Sequence, residues 1–166
     1  MRRLIPAAAL VAVALLTAAI LSASGSAQQT GDRTFTLIER LSEASVHFVN
    51  NPPRGDRSPF EGGPLSAGDG FLFHQALRNR TGNRRVGALD VTCNATVGGR
   101  NFGRARFVCT GVYSLARGTI TAVAFIGRGG QKIAVTGGTG VYEGATGSIK
   151  STERRGGSVD VFHLLG

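Results

Sequence analysis

The chain has 166 residues, with 19 Lys and Arg against 10 Asp and Glu for a formal net charge of +9, and it holds 25 glycines but no tryptophan. That length suits one domain with one core and excludes a multidomain enzyme. Two cysteines and three histidines (His47, His74 and His163) fall at spacings that match no ligand pattern, so no metal site is expected.

Arg2 and Arg3 open the chain, and an uncharged apolar run follows from Leu4 to Leu21. The small residues Ala23-Ser24-Gly25-Ser26-Ala27 come next. This layout predicts a signal peptide over residues 1–27, cleaved after Ala27 or Gly25. A membrane anchor is the rival reading, since the run is barely long enough to span. Cleavage would leave about 139 residues, with 17 cations facing 10 acids for a net +7. All of the cations are arginines except Lys132 and Lys150. No other stretch approaches the roughly 18 apolar residues a span needs. The mature protein is therefore expected to be secreted or held in the cell envelope, with no membrane partner after cleavage.

The rest of the chain, residues 33–166, reads as a single β domain. Apolar and polar residues alternate over short runs separated by Gly, Asn and Pro clusters, and no helix-length 3.6-residue period intervenes. Strands are predicted near Thr34–Leu41, Gly70–Leu77, Arg85–Val97, Arg104–Leu115, Thr119–Ile126, Lys132–Thr136, Ala145–Ser151 and Ser158–Leu165. Asn50–Gly68 holds four of the five prolines and reads as a loop or rim. Eight short antiparallel strands without a helix imply a closed barrel or a sandwich, which protects strand edges.

Period two also sorts the faces. In the first strand Phe35, Leu37, Glu39 and Leu41 share a side. In the second, Phe71, Phe73, Gln75 and Leu77 do. In the third, Leu89, Val91, Cys93, Ala95 and Val97 oppose Asp90, Thr92, Asn94 and Thr96. In the fourth, Phe107, Cys109, Gly111, Tyr113 and Leu115 share the inner side.

A hairpin turning at Asn101 sets Cys93 opposite Cys109 and Leu89 opposite Tyr113. Directly opposed side chains on one face lie within disulfide reach, and an oxidising compartment favours the bond. Two buried thiols, or one reactive thiol in the interior, are the alternatives.

The segment Ala134-Val135-Thr136-Gly137-Gly138-Thr139-Gly140 superficially suggests a dinucleotide-binding loop. Val141, Tyr142 and Glu143 follow where the third glycine belongs, and too little chain remains for further βαβ units. A tight turn between strands is the better reading, and no cofactor is expected. The sequons at Asn79 and Asn94 read as chance matches. No nucleophile-elbow pattern is present, and no aromatic RNA-binding signature accompanies the arginines, so nucleic acid is not an expected partner.

Ile133 to Ser151, with Gly-Gly-Thr-Gly-Val-Tyr-Glu-Gly-Ala-Thr-Gly at its centre, resembles the signature of the allene oxide cyclase and dirigent barrel superfamily. The resemblance extends through Arg84-Arg85-Val86-Gly87 to Cys93, through Gly118-Thr119-Ile120-Thr121-Ala122, and to Val161-Phe162-His163-Leu164. It implies an eight-stranded antiparallel barrel with an apolar cavity. Allene oxide cyclases hold a fatty-acid epoxide there and steer its ring closure by confining its shape. Dirigent proteins hold phenolic radicals or quinone-type intermediates.

Carried over, Cys93 falls on the family cysteine, Gln75 on one asparagine and Glu39 on the glutamate. Leu41 stands where a second asparagine would be, and Ala145-Thr146-Gly147 replaces the dirigent Ala-Arg-Gly. Plant relatives form trimers. The arginine-rich outer faces here show no clear interface, so a homo-oligomer stays open.

Glu39 stands out on physical grounds too. On an apolar strand face its ionised form is disfavoured and its pKa should rise, which suits a proton donor to an epoxide or carbonyl. A strand-end glutamate reaching solvent or pairing with an arginine is the plainer reading. Gln75 could orient a ligand or water, or serve as a satisfied core amide.

The expected catalytic pair is Glu39 and Gln75. The expected lining is Phe35, Leu37, Phe73, Cys93, Phe107 and Tyr113, around an apolar or aromatic small molecule. One function is a secreted, cofactor-independent barrel guiding a cyclisation, isomerisation or stereoselective coupling. The other is a binding or cell-surface protein whose Arg-rich exterior meets an anionic polymer. Fold alone cannot choose between them.

Overall fold

In the computed structural model, residues 32–51, 63–127 and 130–165 are described. The expected signal peptide, and most of the proline-rich segment, lie outside them. Eight strands follow in order: β1 (Arg33–Val49), β2 (Gly70–Arg78), β3 (Arg85–Val97), β4 (Arg106–Leu115), β5 (Gly118–Gly127), β6 (Gly130–Gly138), β7 (Thr146–Arg154) and β8 (Gly157–Leu165). Each pairs antiparallel with the next, and β8 returns to β1 from Arg33↔Leu164 to Arg40↔Gly157. The result is a closed eight-stranded barrel. Closure covers most strand edges, with the shortest ladder between β6 and β7, where Ile133–Val135 pair with Gly147–Ile149.

The expected strands are all present, with shifts at several of their ends. β1 runs on to Val49 rather than stopping near Leu41, because its pairing with β2 slips between Glu39 and Ala44. A bulge of this kind bends a strand and lets one strand serve two stretches of partner. Within the bulge Leu41 is 64% exposed, and it still lines the cavity and its adjoining recess. β4 begins at Arg106, since Phe102–Arg104 forms a single 3₁₀ turn. β6 is longer than expected, spanning Gly130–Gly138.

The glycine-rich segment after β6 is a turn, as its sequence context implies. It makes one 3₁₀ turn at Gly140–Tyr142, entered at Gly140 with φ of 63°. A Cβ at Gly140 would stand 2.4 Å from the Arg117 carbonyl oxygen. Glycine removes both the left-handed penalty and the collision.

The barrel has two unlike halves. Near the β2–β3, β4–β5 and β6–β7 connections it is filled: Leu77, Ile120 and Phe162 are completely buried, with Leu37, Val135, Ile149 and Leu164 around them. Phe35 stacks on Phe162 with ring centroids 4.5 Å apart, and Tyr113 meets Phe162 edge-on at 4.9 Å. Offset-stacked and edge-to-face pairs are the preferred aromatic geometries.

Towards the opposite end the inward residues shrink to Gly111, Ala122 and Ala124, which cannot fill a barrel of this girth. Phe71, Phe102 and Phe107 form a second aromatic group there, with Phe102 and Phe107 stacked at 4.7 Å.

The rim is held by polar contacts. Leu65 and Gly99 exchange backbone hydrogen bonds of 2.8 and 3.0 Å. Asp69, buried, accepts from the amides of Asn51 and Ser66. On the outside Arg78 pairs with Glu43, and Arg40 donates to the Gly82 carbonyl, so part of the arginine surface braces the fold. Asn79 closes the β2–β3 turn by accepting from the amides of Asn83 and Arg84. Cys93 and Cys109 are opposed in register and joined as a disulfide.

Candidate functional site

The unfilled half of the barrel is a cavity of about 500 Å³. Phe71, Phe73, Leu89, Val91, Phe102 and Ile133 give it apolar walls, and the Cys93–Cys109 bridge runs along one side. A volume in this range suits a drug-sized molecule. A smaller recess of about 270 Å³ adjoins it, bounded by Glu39, Phe73, Gln75, Arg154 and Ser158 among others. Glu39 borders both spaces.

At the base of the cavity three polar side chains meet. Asp160, on β8, is 2% exposed, and its Oδ2 accepts a hydrogen bond from the Tyr113 hydroxyl at 3.2 Å. Its Oδ1 is buried.

Glu39 pairs with Ser158 across β1 and β8, and the next inward residue along β8 is Asp160. Burial first, then the charge of Asp160 and a hydrogen bond between the two carboxyls, push the Glu39 pKa up to about 8; a hydrogen bond from Ser158 acts the other way. Two carboxyls in contact cannot both ionise cheaply. Glu39 therefore keeps its proton at neutral pH and shares it with Asp160. Tyr113 is pushed well above its ordinary value by burial and by the nearby acids, so it stays a phenol and a donor. The cluster can hold, give and take back a proton inside an apolar chamber.

Gln75, 1% exposed, does not aim its amide nitrogen at the cavity. Nε2 donates to the carbonyls of Arg40 (3.0 Å) and Ala76 (3.1 Å). The Arg40 carbonyl lies at the edge of the β1 bulge, so Gln75 pins the bend that follows Glu39.

Of the expected lining, Phe73, Cys93 and Tyr113 border the cavity. Phe35, Leu37 and Phe107 also point inward, but they pack within the core rather than along this wall. Asp160 was not singled out in the sequence, although the signal existed: Ser158, Asp160, Phe162 and Leu164 alternate with Val159, Val161 and His163. A carboxylate on the face shared by Phe162 and Leu164 is as unusual as Glu39 on β1.

Among the described residues, no helix is long and apolar enough to cross a membrane. No protein-family model matches the chain, and no curated protein matches it. Solved structures do. Pyocyanin demethylase aligns with a TM-score of 0.58 at 18% identity, covering 79% of this chain and 99% of that one.

Two further structures align over 99% of this chain. One is the Diels–Alderase AbmU from Streptomyces koyangensis (TM-score 0.48, 16% identity, 84% of that chain). The other is a nonspecific heme-binding cyclase that catalyses a 4 + 2 cycloaddition in neoabyssomicin biosynthesis (TM-score 0.46, 16% identity, 78% of that chain). At these identities the likeness is one of architecture: the chain is similar to pyocyanin demethylase in its barrel fold.

Proposed function

We propose that the protein is an exported, cofactor-independent barrel that takes an apolar or aromatic small molecule into its lumen and guides its cyclisation or isomerisation. The carrying observation is the protonated Glu39 beside Asp160 at the base of a 500 Å³ apolar cavity. Glu39 donates toward a carbonyl or epoxide oxygen of the occupant, and Asp160 with Tyr113 receives the proton back and steadies positive charge that develops. The close walls favour one folded conformer of a flexible substrate.

Several features agree with this reading. The resemblance of residues 133–151 to the allene oxide cyclase and dirigent barrels belongs to the same class of activity. A demethylase shares the architecture, so such barrels can host small-molecule chemistry. Export is supported by the N-terminal sequence and by the disulfide, which oxidising compartments favour.

Native mass spectrometry of protein taken from its producing cells tests the proposal. A co-purifying small molecule should leave when Ala124 is replaced by Phe, which narrows the lumen. A Glu39→Gln variant should retain that molecule but convert it at least tenfold more slowly. Conversion at the parental rate by Glu39→Gln would remove the acid–base role, and an empty barrel in every preparation would remove the ligand.

A further inference from the structure

Charge inside the barrel runs against charge outside it. The chain carries a formal net charge of +9, yet among the described residues Glu39, Asp160 and Glu153 border the cavity without a Lys, Arg or His, and Arg154 lines only the adjoining recess. One proton shared by Glu39 and Asp160 still leaves that pair with a net charge of minus one. A buried carboxylate without a cationic partner is expensive. Tyr113 and the Glu39 carboxyl hydrogen-bond Asp160, but neither brings it a positive charge. The same cavity is lined by Phe71, Phe73, Phe102 and Tyr113, and aromatic rings attract cations when both are shielded from water.

We infer that the lumen selects an aromatic cation, a planar molecule bearing one positive nitrogen, which Asp160 neutralises and the aromatic walls sandwich. This rests on the lumen being a ligand site, and it names the chemical class of the occupant. A neutral aromatic would leave the carboxylate without a counter-charge, and an anion would be repelled by it. The basic exterior adds discrimination, because it offers a cation no competing site of comparable strength.

Three dyes of one shape test it by fluorescence titration at pH 7: N-methylacridinium, neutral acridine and acridine-9-carboxylate. On the unaltered protein, N-methylacridinium should bind at least tenfold more tightly than acridine, with the carboxylate weakest. Asp160→Asn should reduce that preference below threefold, and Ala124→Phe should abolish binding, with Ala122→Leu as the substitute if Ala124→Phe does not fold.

If acridine binds within tenfold of the cation and the lumen-filling variant removes both, the cation inference falls and the ligand-binding lumen stands. If no dye binds, or if binding ignores the lumen-filling variant, both fall. The comparison of dyes on the parent protein decides the charge question without any variant.

Discussion

Replacing Glu39 by Gln should make the protein more stable at pH 8 than its parent, while leaving stability at pH 5 nearly unchanged. The folded pKa is about 8 against an ordinary value of 4.5. A raised carboxyl pKa means that between those values the native state holds a proton the unfolded chain has already released. Stability therefore falls as pH rises from 4.5, and the loss levels off above about 8.

At roughly 1.4 kcal/mol per pH unit the loss would reach about 3 kcal/mol by pH 7. Water at the cavity mouth screens a half-buried group, which brings the working figure to about 2 kcal/mol. Gln mimics the protonated acid in shape and cannot ionise, so it removes this slope. Urea unfolding of both proteins at pH 5, 7 and 9 gives the difference directly. A parent-minus-variant difference that stays flat across that range would show that Glu39 titrates normally, and the shared-proton account would be refuted.

Other outcomes follow from the same geometry. Tyr113→Phe removes a hydroxyl that hydrogen-bonds Asp160 and should cost about 1–3 kcal/mol in urea unfolding, since a buried acceptor loses one of its donors. The loss should shrink in an Asp160→Asn background, where the charge is gone. Reduction of Cys93–Cys109, whose partners are 16 residues apart, should lower stability by about 3 kcal/mol in the chain-entropy model. Calorimetry with and without reductant reads that as a lower unfolding temperature, and an unchanged transition would place the bond outside the folded core.

Much of this protein is written locally. Alternation along each segment is enough to find the strands, to turn Glu39, Gln75, Cys93 and Tyr113 inward, and to set Cys93 against Cys109, because a single hairpin fixes that register. The strand count and the absence of helices narrow the fold to a closed barrel or a sandwich, and the β8–β1 pairing makes it a barrel.

Alternation states which way a side chain points, not how high it sits along the barrel. Phe35, Leu37 and Phe107 are as inward as Phe73, yet they pack within the core while Phe73 faces the cavity; strand stagger decides this. The bulge after Glu39 depends on β1 pairing with β8 over one stretch and β2 over another, which no local pattern encodes. Glu39 and Asp160 lie near opposite ends of the described chain, and only the β1–β8 pairing that closes the barrel makes them neighbours. The sequence alone determined that an acid faces inward. The tertiary structure decided that it meets a second acid, because a pKa is raised by what stands on the neighbouring strand as well as by what stands beside it in the chain.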